Sequence, residues 1–302
     1  MSTSKIKIWI HAFRLRTLPL ALSNAVMGSL LALSEDGFRW SIFALTVVTI
    51  TLLQILSNLA NDYGDAVSGK DTDERVGPLR VTASGLVTKE EIKRMIIVFV
   101  ILSCISGTAL IFTGLNNLPW KELAIFFGLG LAAIAAAIKY TIGKNPYGYK
   151  GLADIFVFIF FGLIGVMGTY YLHTHWFDLF ILAPASVIGL FSVGVLNINN
   201  LRDIETDAKS GKKTLAVRFG PKFARFYHLA LISIGLIISV VYSIIKFYSG
   251  WQFLFLVTVP FFAMNIWVVF KSQKAEDLNN ELRNLALTTF LFSLAFGLGL
   301  IL

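Results

Sequence analysis

Charged residues are scarce in this 302-residue chain. They make up 15% of it, whereas hydrophobic residues make up 56%, and the mean hydropathy is +0.73. Because a soluble globular domain carries about 25% charged residues, this composition excludes an ordinary soluble protein. The apolar runs also lack the polar alternation that is typical of strands in an outer-membrane barrel. We therefore predict an all-α, polytopic membrane protein.

Cysteine and histidine are also rare. The chain has one cysteine, Cys104, which falls inside an apolar run, and four histidines. A single cysteine excludes an intrachain disulfide and a cysteine-ligated metal cluster. The histidines show no spacing with serine and acidic residues that would indicate a catalytic triad. We predict no catalytic role for any of them.

Long apolar runs are abundant, and each is long enough to cross a membrane. They are about 17 to 22 residues long, which as helices cross a hydrocarbon core of about 30 Å. The nine candidate spans are roughly 18–34, 40–60, 95–114, 120–138, 154–172, 178–200, 226–246, 251–270 and 285–302. We predict that they form a single transmembrane domain over residues 1–302.

The net charge of +8 is distributed unevenly between the two sides of the predicted membrane. Of the 26 basic residues, all but Arg39, Lys121 and Lys246 fall on the side that holds the N-terminus. Such asymmetry places the N-terminus in the cytoplasm and predicts a multi-pass protein of the inner, cytoplasmic membrane. The charge is thus explained by topology and by contact with the lipid bilayer, and we predict no nucleic-acid partner.

Two acidic boxes stand at the cytoplasmic ends of the second and sixth spans. Box 1 consists of Asn58, Asn61, Asp62 and Asp65, and box 2 consists of Asn199, Asp203 and Asp207. Because residues three, four and seven apart share a face of a helix, each box predicts an amide and two carboxylates on one face. Ionisable groups at the edge of a span usually face an aqueous cavity and indicate function.

Clustered carboxylates without histidine or cysteine are hard oxygen ligands, which suit Mg²⁺. Two facing pairs suggest a clamp of two metal ions on a leaving phosphate group, with Asp62, Asp65, Asp203 and Asp207 as metal ligands and catalytic residues. Nearby cations fit a diphosphate better than a metal ion alone. These cations are Arg80, Lys139, Lys144, Lys212 and Lys213.

A simpler interpretation is that the acids only cap helices and balance the lysines of the loops. A single D-x-x-x-D would favour that interpretation, but two boxes with preceding amides on the same side favour a site. Asp71, Asp73 and Glu74 lie past Gly69 and outside the helical register. We interpret these three as solvated loop residues, with a role near the metal as the alternative.

The two boxes resemble the paired aspartate motifs of the UbiA-type intramembrane aromatic prenyltransferases. In this chain the motifs read "NDYGD" and "DIETD", and the number of spans and the positions of the loops also fit over nearly the whole chain. The resemblance implies nine helices around a central cavity capped by cytoplasmic loops, with Mg²⁺ and a polyprenyl diphosphate as ligands. One position departs from the family pattern, since Gly69 stands where box 1 would have a third acid.

Within that family, several stretches are similar to the members that prenylate 1,4-dihydroxy-2-naphthoate in menaquinone biosynthesis. They are "RTLPLA", "NLANDYGD", "ERVGPLRVTASGLVT" and "KYTIGKNPYGYKGLADIFVFIFFG". The resemblance implies that 1,4-dihydroxy-2-naphthoate is the acceptor and that its carboxylate leaves as carbon dioxide. The choice of acceptor rests on the resemblance, because no local pattern of residues encodes an aromatic ring.

The resemblance also implies roles for individual residues. The four aspartates would hold metal ions on the departing diphosphate, with cationic residues as helpers and the amides positioning water or diphosphate oxygens. The implied substrate-binding residues are Asn58, Asn61, Arg80, Lys139, Tyr140, Lys144, Asn199 and Lys212. Tyr63 and Tyr140 are candidate walls for the allylic cation, with ordinary core packing as the alternative for each ring.

Two other functions are compatible with a helical membrane protein that contains acids. Secondary transporters also hold acids in a bundle, but usually near the bilayer midplane and in broken helices, whereas these boxes lie at the cytoplasmic rim. CDP-alcohol phosphotransferases are acid-rich and use Mg²⁺, but their single D-x-x-D-G-x-x-A-R box is absent from this sequence. Both alternatives therefore fit the sequence less well than prenyl transfer.

Overall fold

The chain is described by a computed structural model that covers residues 5–69, 77, 80–82, 84–115 and 118–302. Within these ranges the secondary structure is helical, as the composition predicts. The α-helices are α1 Lys5–Phe13, α2 Leu18–Leu33, α3 Trp40–Val67, α4 Lys89–Leu115, α5 Trp120–Lys139, α6 Ala153–Val157, α7 Gly168–Thr174, α8 Leu182–Arg202, α9 Ile204–Lys209, α10 Leu215–Ile245, α11 Val259–Lys271 and α12 Leu278–Gly299. A π-helix, Phe158–Met167, joins α6 to α7.

Nine helical stretches in these ranges are long and apolar enough to cross a membrane, which confirms the predicted number. Helices satisfy their own backbone hydrogen bonds, so they are the form that a lipid-exposed chain of this composition adopts. Several stretches combine elements; for example, the first runs from Lys5 to Leu33 and the fifth from Ala153 to Thr174. The protein is therefore a multi-pass membrane protein.

Helix α8 lies at the centre of the bundle, against α10 on one side and the π-helix on the other. Its Phe191 is fully buried and contacts Phe262 and Phe292, with ring centroids 4.5 Å and 5.1 Å away. Offset and edge-on aromatic contacts at these distances stabilise a core beyond the area that they bury. Helix α8 is thereby held in a close-packed aromatic core together with elements of the C-terminal half.

Helix α5 is peripheral. It packs against α3 and α4, yet only one of its residues, Ala136, is buried. Its face toward the bundle includes small residues, among them Gly130 and Ala133, and these line a cavity together with Phe126 and Leu129. At these small residues α5 leaves space between itself and α3. This space is part of the cavity described in the next subsection.

Two loops meet at the face that carries both boxes, as the expected cap requires. The backbone N–H of Lys213 donates to the carbonyl of Tyr149 at 2.8 Å, and Arg218 donates to the carbonyl of Lys150 at 2.8 Å. These bonds join the short helical turn Tyr147–Lys150, which follows α5, to the segment that follows α9. The connection after α5 is therefore held against the connection after α9 beside the two boxes.

Candidate active site

The two acidic boxes meet across one polar chamber of about 190 Å³. Asp65 enters it from the end of α3, and Asp203 and Asp207 enter from the junction of α8 and α9. All three side chains are buried, with 1%, 5% and 7% of their residues' surface exposed. Residues some 140 positions apart in the chain thus line one chamber.

Box 1 is placed by a helix that continues beyond the apolar run to Val67. Gly64 allows the loop after α5 to approach closely, because a β-carbon there would lie 2.8 Å from the backbone of Thr141. Thr141 uses this contact to donate a hydrogen bond to the carbonyl of Ala60, at 2.9 Å. Asp65 therefore lies directly beside the loop that closes the chamber.

The local backbone explains why Gly69 stands where the family pattern has a third acid. Gly69 has a φ of +65°, the left-handed conformation that commonly ends a helix two residues after its last turn. An aspartate there would be strained, so this chain uses the position to terminate α3. Asp71 and Asp73, the alternative ligands, lie outside the described residues.

Box 2 differs from its prediction in one respect. Asn199, Asp203 and Asp207 were expected on one continuous helix, but α8 ends at Arg202 and α9 begins at Ile204. Asp203, at the break, has φ −93° and ψ 11°. The N–H of Asp203 still donates to Asn199 and that of Asp207 to Asp203, at 3.1 Å and 2.8 Å. The turn is therefore preserved, and all three side chains line the chamber.

Cationic side chains neutralise the carboxylates. Arg80 forms an ion pair with Asp65, and the Nζ of Lys212 lies 3.5 Å from Asp65 and 3.3 Å from Asp207. Lys212 thus bridges the two boxes. Arg202 binds both oxygens of Asp203, at 2.7 Å and 2.8 Å, and also contacts Asn199 at 2.8 Å.

Burial and charge set the protonation of Asp207. Burial raises its pKa above the usual range; the neighbouring Asp203 adds to this effect, while Lys212 opposes it. A further positive charge would stabilise the ionised form of the Asp207 carboxyl. The chamber therefore favours a cation beside box 2.

Tyr149, from the turn after α5, completes the polar chamber. Its hydroxyl donates to Asp65, and its ring lies under Lys212, with the Nζ 5.2 Å from the ring centroid. Burial, together with the charge of Asp65, raises the pKa of Tyr149, so the phenol stays protonated. Tyr149 therefore fixes the position of Asp65 in the chamber through this hydrogen bond.

A second, apolar chamber of about 350 Å³ adjoins the first. It runs between α3, α4, α5 and the π-helix toward Leu172, near the opposite end of the bundle. Both chambers share a set of residues that we call the neck. The neck consists of Gln54, Asn58, Asn61, Tyr140, Val157 and Phe161.

Most predicted site residues line the polar chamber or the neck. They are Asn58, Asn61, Asp65, Arg80, Tyr140, Asn199, Asp203, Asp207 and Lys212. Asp62 is buried one turn before Asp65 but is not part of the lining. Tyr63 packs in the hydrophobic cluster around Leu59 instead of forming a wall of the chamber.

Lys139 and Lys144 are exposed and lie outside the lining of both chambers. Their role in substrate binding stays a prediction, because no contact in the described residues connects them to the site. The sequence did not single out other residues that line it, among them Arg14, Thr17, Gln54 and Tyr149. For Tyr149 a signal existed, since it lies in the "KNPYGYKGLAD" stretch that carries the resemblance.

Comparison with known proteins agrees with this geometry. The model of the UbiA prenyltransferase family matches residues 21–296. The 1,4-dihydroxy-2-naphthoate octaprenyltransferase of Haemophilus influenzae is 44% identical over 100% of this chain and 98% of its own length. The protein of the same name from Escherichia coli is 40% identical over 99% and 96%.

Solved structures show the same fold. A UbiA homolog from Archaeoglobus fulgidus bound to GPP and Mg²⁺ superimposes with a TM-score of 0.69, at 16% identity. The match covers 97% of this chain and 99% of that one.

Proposed function

The chain belongs to the UbiA prenyltransferase family, and on that premise we propose its reaction. It transfers a polyprenyl group from a polyprenyl diphosphate to 1,4-dihydroxy-2-naphthoate, with loss of diphosphate and carbon dioxide. This step belongs to menaquinone biosynthesis, as the names of its full-length relatives indicate.

The observation that carries the proposal is the junction of the two chambers at the neck. A polyprenyl diphosphate has a highly charged head and a long apolar tail. The polar chamber offers buried cations, and the adjoining chamber is lined mostly by apolar side chains. With the head in the first and the tail in the second, the allylic C–O bond lies at the neck.

The donor set of the polar chamber fits Mg²⁺. Among the described residues no group of three carboxylates or other ligating side chains is close enough to hold an ion by itself. Mg²⁺ commonly takes one or two carboxylates and completes its shell with water and substrate phosphate. Lys212 between Asp65 and Asp207 marks the point where a cation is favoured.

We assign Asp65, Asp203 and Asp207 as metal ligands, with Asp62 one turn earlier on α3 as the fourth predicted acid. When bound there, Mg²⁺ neutralises the charge that develops on the departing diphosphate. Lys212 and Arg80 add fixed positive charge at the same place, and the phenol of Tyr149 holds Asp65 in position through its hydrogen bond. The side-chain amides of Asn58, Asn61 and Asn199 line the same chamber, and we assign them to position water or diphosphate oxygens around the head group.

The neck protects the allylic cation. Water would capture it as an alcohol, so apolar and aromatic side chains must surround the reacting carbon. Tyr140 and Phe161 line the neck, and Tyr147 stands edge-on to Tyr140 with its centroid 5.4 Å away. Burial raises the pKa of Tyr140, so this ring stays neutral and offers its face to a cation.

The acceptor ring reacts at the carbon that carries its carboxylate. A bond forms between this carbon and the allylic carbon as the C–O bond to diphosphate breaks. The bond to the carboxylate then breaks, its electron pair returns to the ring, and carbon dioxide leaves. The charges balance without transfer of a proton, because the acceptor carboxylate brings the negative charge that diphosphate carries away.

We place the protein in the inner, cytoplasmic membrane with its N-terminus in the cytoplasm. The basic residues of the loops on that side and the polar chamber at the same face support this orientation. Because both chambers draw on helices from the two halves of the chain, we treat residues 1–302 as one domain.

The test is a transfer assay with the full chain in proteoliposomes. We expect that 1,4-dihydroxy-2-naphthoate, a polyprenyl diphosphate and Mg²⁺ yield prenylated naphthoquinol, carbon dioxide and diphosphate in equal amounts. Chelation of Mg²⁺ should stop all three. Product formed with 4-hydroxybenzoate instead would overturn the acceptor, and no diphosphate release with either acceptor would overturn the reaction.

The apolar chamber predicts a dependence on prenyl chain length. Gly130 lines this chamber and has open space around the position of a β-carbon, so phenylalanine there would fill the chamber without a clash. We expect Gly130→Phe to raise the KM for an octaprenyl donor about tenfold and to leave that for geranyl diphosphate unchanged. Gly128→Phe, on the same helix but outside the lining, is the control. Equal effects on both donors would contradict this placement of the tail.

A further inference from the structure

Gln54 stands at the neck, one turn before Asn58 on α3, and belongs to neither acidic box. It lines both chambers and is partly buried. Together with Asn58, Asn61 and Asp65 it forms one polar stripe along the helix. An uncharged amide at the point where the reacting atoms of the two substrates must meet is a candidate for direct contact with one of them.

The orientation of this amide follows from its neighbours. Asn58 donates through its side-chain nitrogen to the carbonyl of Phe13 at 2.9 Å, so its oxygen faces Gln54. The hydroxyl of Thr17 donates to the carbonyl of Arg14 at 2.9 Å, so it can only accept from Gln54. Gln54 therefore turns its side-chain nitrogen toward both residues. This nitrogen lies 3.4 Å from the Oδ1 of Asn58 and 3.2 Å from the Oγ1 of Thr17. The hydrogen bonds that Asn58 and Thr17 donate to backbone carbonyls thus fix the orientation of the Gln54 amide.

The Oε1 atom of Gln54 remains available as an acceptor. Across the part of the chain that the structure describes, no side chain or backbone group donates to it. An amide oxygen held at a cavity wall with both donors of its nitrogen already committed suits a hydroxyl of the ligand. A prenyl diphosphate has no hydroxyl donor, whereas a dihydroxyaryl acceptor has two.

We propose that the Oε1 of Gln54 accepts a hydrogen bond from the acceptor hydroxyl next to the carbon that is prenylated. This inference rests on the proposed function and adds a catalytic residue to it. When the ring attacks the allylic carbon, positive charge develops on that hydroxyl oxygen. The hydrogen bond strengthens as the charge grows, so it stabilises the transition state more than the bound substrate. The proton stays on the hydroxyl, and the charge disappears when carbon dioxide leaves.

The test compares two variants with two acceptors. Gln54→Met removes the amide at nearly equal length, and the acceptor whose adjacent hydroxyl is methylated removes the donor. We expect Gln54→Met to lower kcat/KM for the parent acceptor about a hundredfold. The wild-type enzyme should discriminate against the methyl ether by a similar factor, and Gln54→Met should discriminate little. Thr51→Val, on the same helix but outside both linings, should discriminate as the wild type does.

Two readouts separate this role from a structural one. Thr51→Val should keep the wild-type KM for the donor and the wild-type release of diphosphate without acceptor, and the loss in Gln54→Met should fall on kcat with the parent acceptor. If that variant does not fold, Thr17→Val serves, since it removes the bond that orients the amide, and we expect it to lose part of the discrimination. Full discrimination retained in either variant would overturn the proposal. A wild-type enzyme that does not prenylate the parent acceptor would instead overturn the proposed function.

Discussion

Replacing Asp65 with asparagine is expected to reduce prenyl transfer about 10³-fold and to destabilise the protein at the same time. Asp65 contacts Arg80, Lys212 and Tyr149 inside the polar chamber. The variant removes one carboxylate from the metal site and takes from the buried guanidinium of Arg80 the ion pair that it makes with Asp65. Breaking a buried ion pair from one side costs about 3 to 5 kcal/mol of stability, because the remaining charge stays desolvated.

Both effects of Asp65→Asn can be measured on one preparation. Diphosphate release gives the activity, and thermal unfolding followed by tryptophan fluorescence gives the stability. Asp178→Asn is the matched control, because Asp178 also has a lysine partner, Lys246 at 3.9 Å, but that pair is partly exposed. Unchanged thermal stability of Asp65→Asn would contradict the ion-pair network described for the polar chamber.

Asp207→Asn should lose activity to a similar extent, about 10³-fold, yet keep or slightly raise its stability. The folded protein raises the pKa of Asp207, chiefly through burial. A carboxyl whose pKa is raised on folding costs stability wherever it is ionised, that is, at pH values above its unfolded pKa. Asparagine removes that cost at neutral pH, and Lys212 keeps its contact with Asp65.

The pH dependence of the unfolding temperature tests the prediction for Asp207→Asn more stringently. Any gain in the unfolding temperature of Asp207→Asn should be present at pH 7, shrink as the pH falls through the raised pKa of the folded carboxyl, and vanish below the unfolded pKa of 3.8, where the wild-type carboxyl is protonated in both states. Destabilisation as large as that of Asp65→Asn would show that Lys212 depends on Asp207, and would overturn this assignment. The pair of variants thus separates a carboxylate that both the fold and the reaction need, Asp65, from one that only the reaction needs, Asp207.

The sequence predicted the parts of this molecule that have strong local signals. Nine spans follow from run length and hydropathy, and Asp65, Asp203 and Asp207 follow from carboxylates placed at the ends of apolar runs, where they are costly without a function. That they face each other could be inferred from topology, because both boxes fall on the same side of the membrane.

Other features depend on contacts between distant segments and had no local signal. Gln54 and Thr17 are uncharged polar residues within or next to apolar helices, where such residues usually serve helix packing, and the bond between them joins α3 to the turn before α2. The break at Asp203 and the π-helix Phe158–Met167 change the register of helices whose sequences look continuous. Lys139 was assigned from its charge and from the resemblance; it is exposed at the end of α5, and its role stays a prediction.

The shared neck has a consequence for how a catalytic cycle ends. The cycle starts with an acceptor and an amphiphilic donor that spans both chambers, and besides carbon dioxide it yields two molecules of opposite solubility. Diphosphate carries the charge and leaves through the polar chamber to water, whereas the prenylated ring has lost its carboxylate and partitions into lipid. The two chambers therefore separate the products by phase, so that the lipid-soluble one is delivered within the membrane where a quinone works.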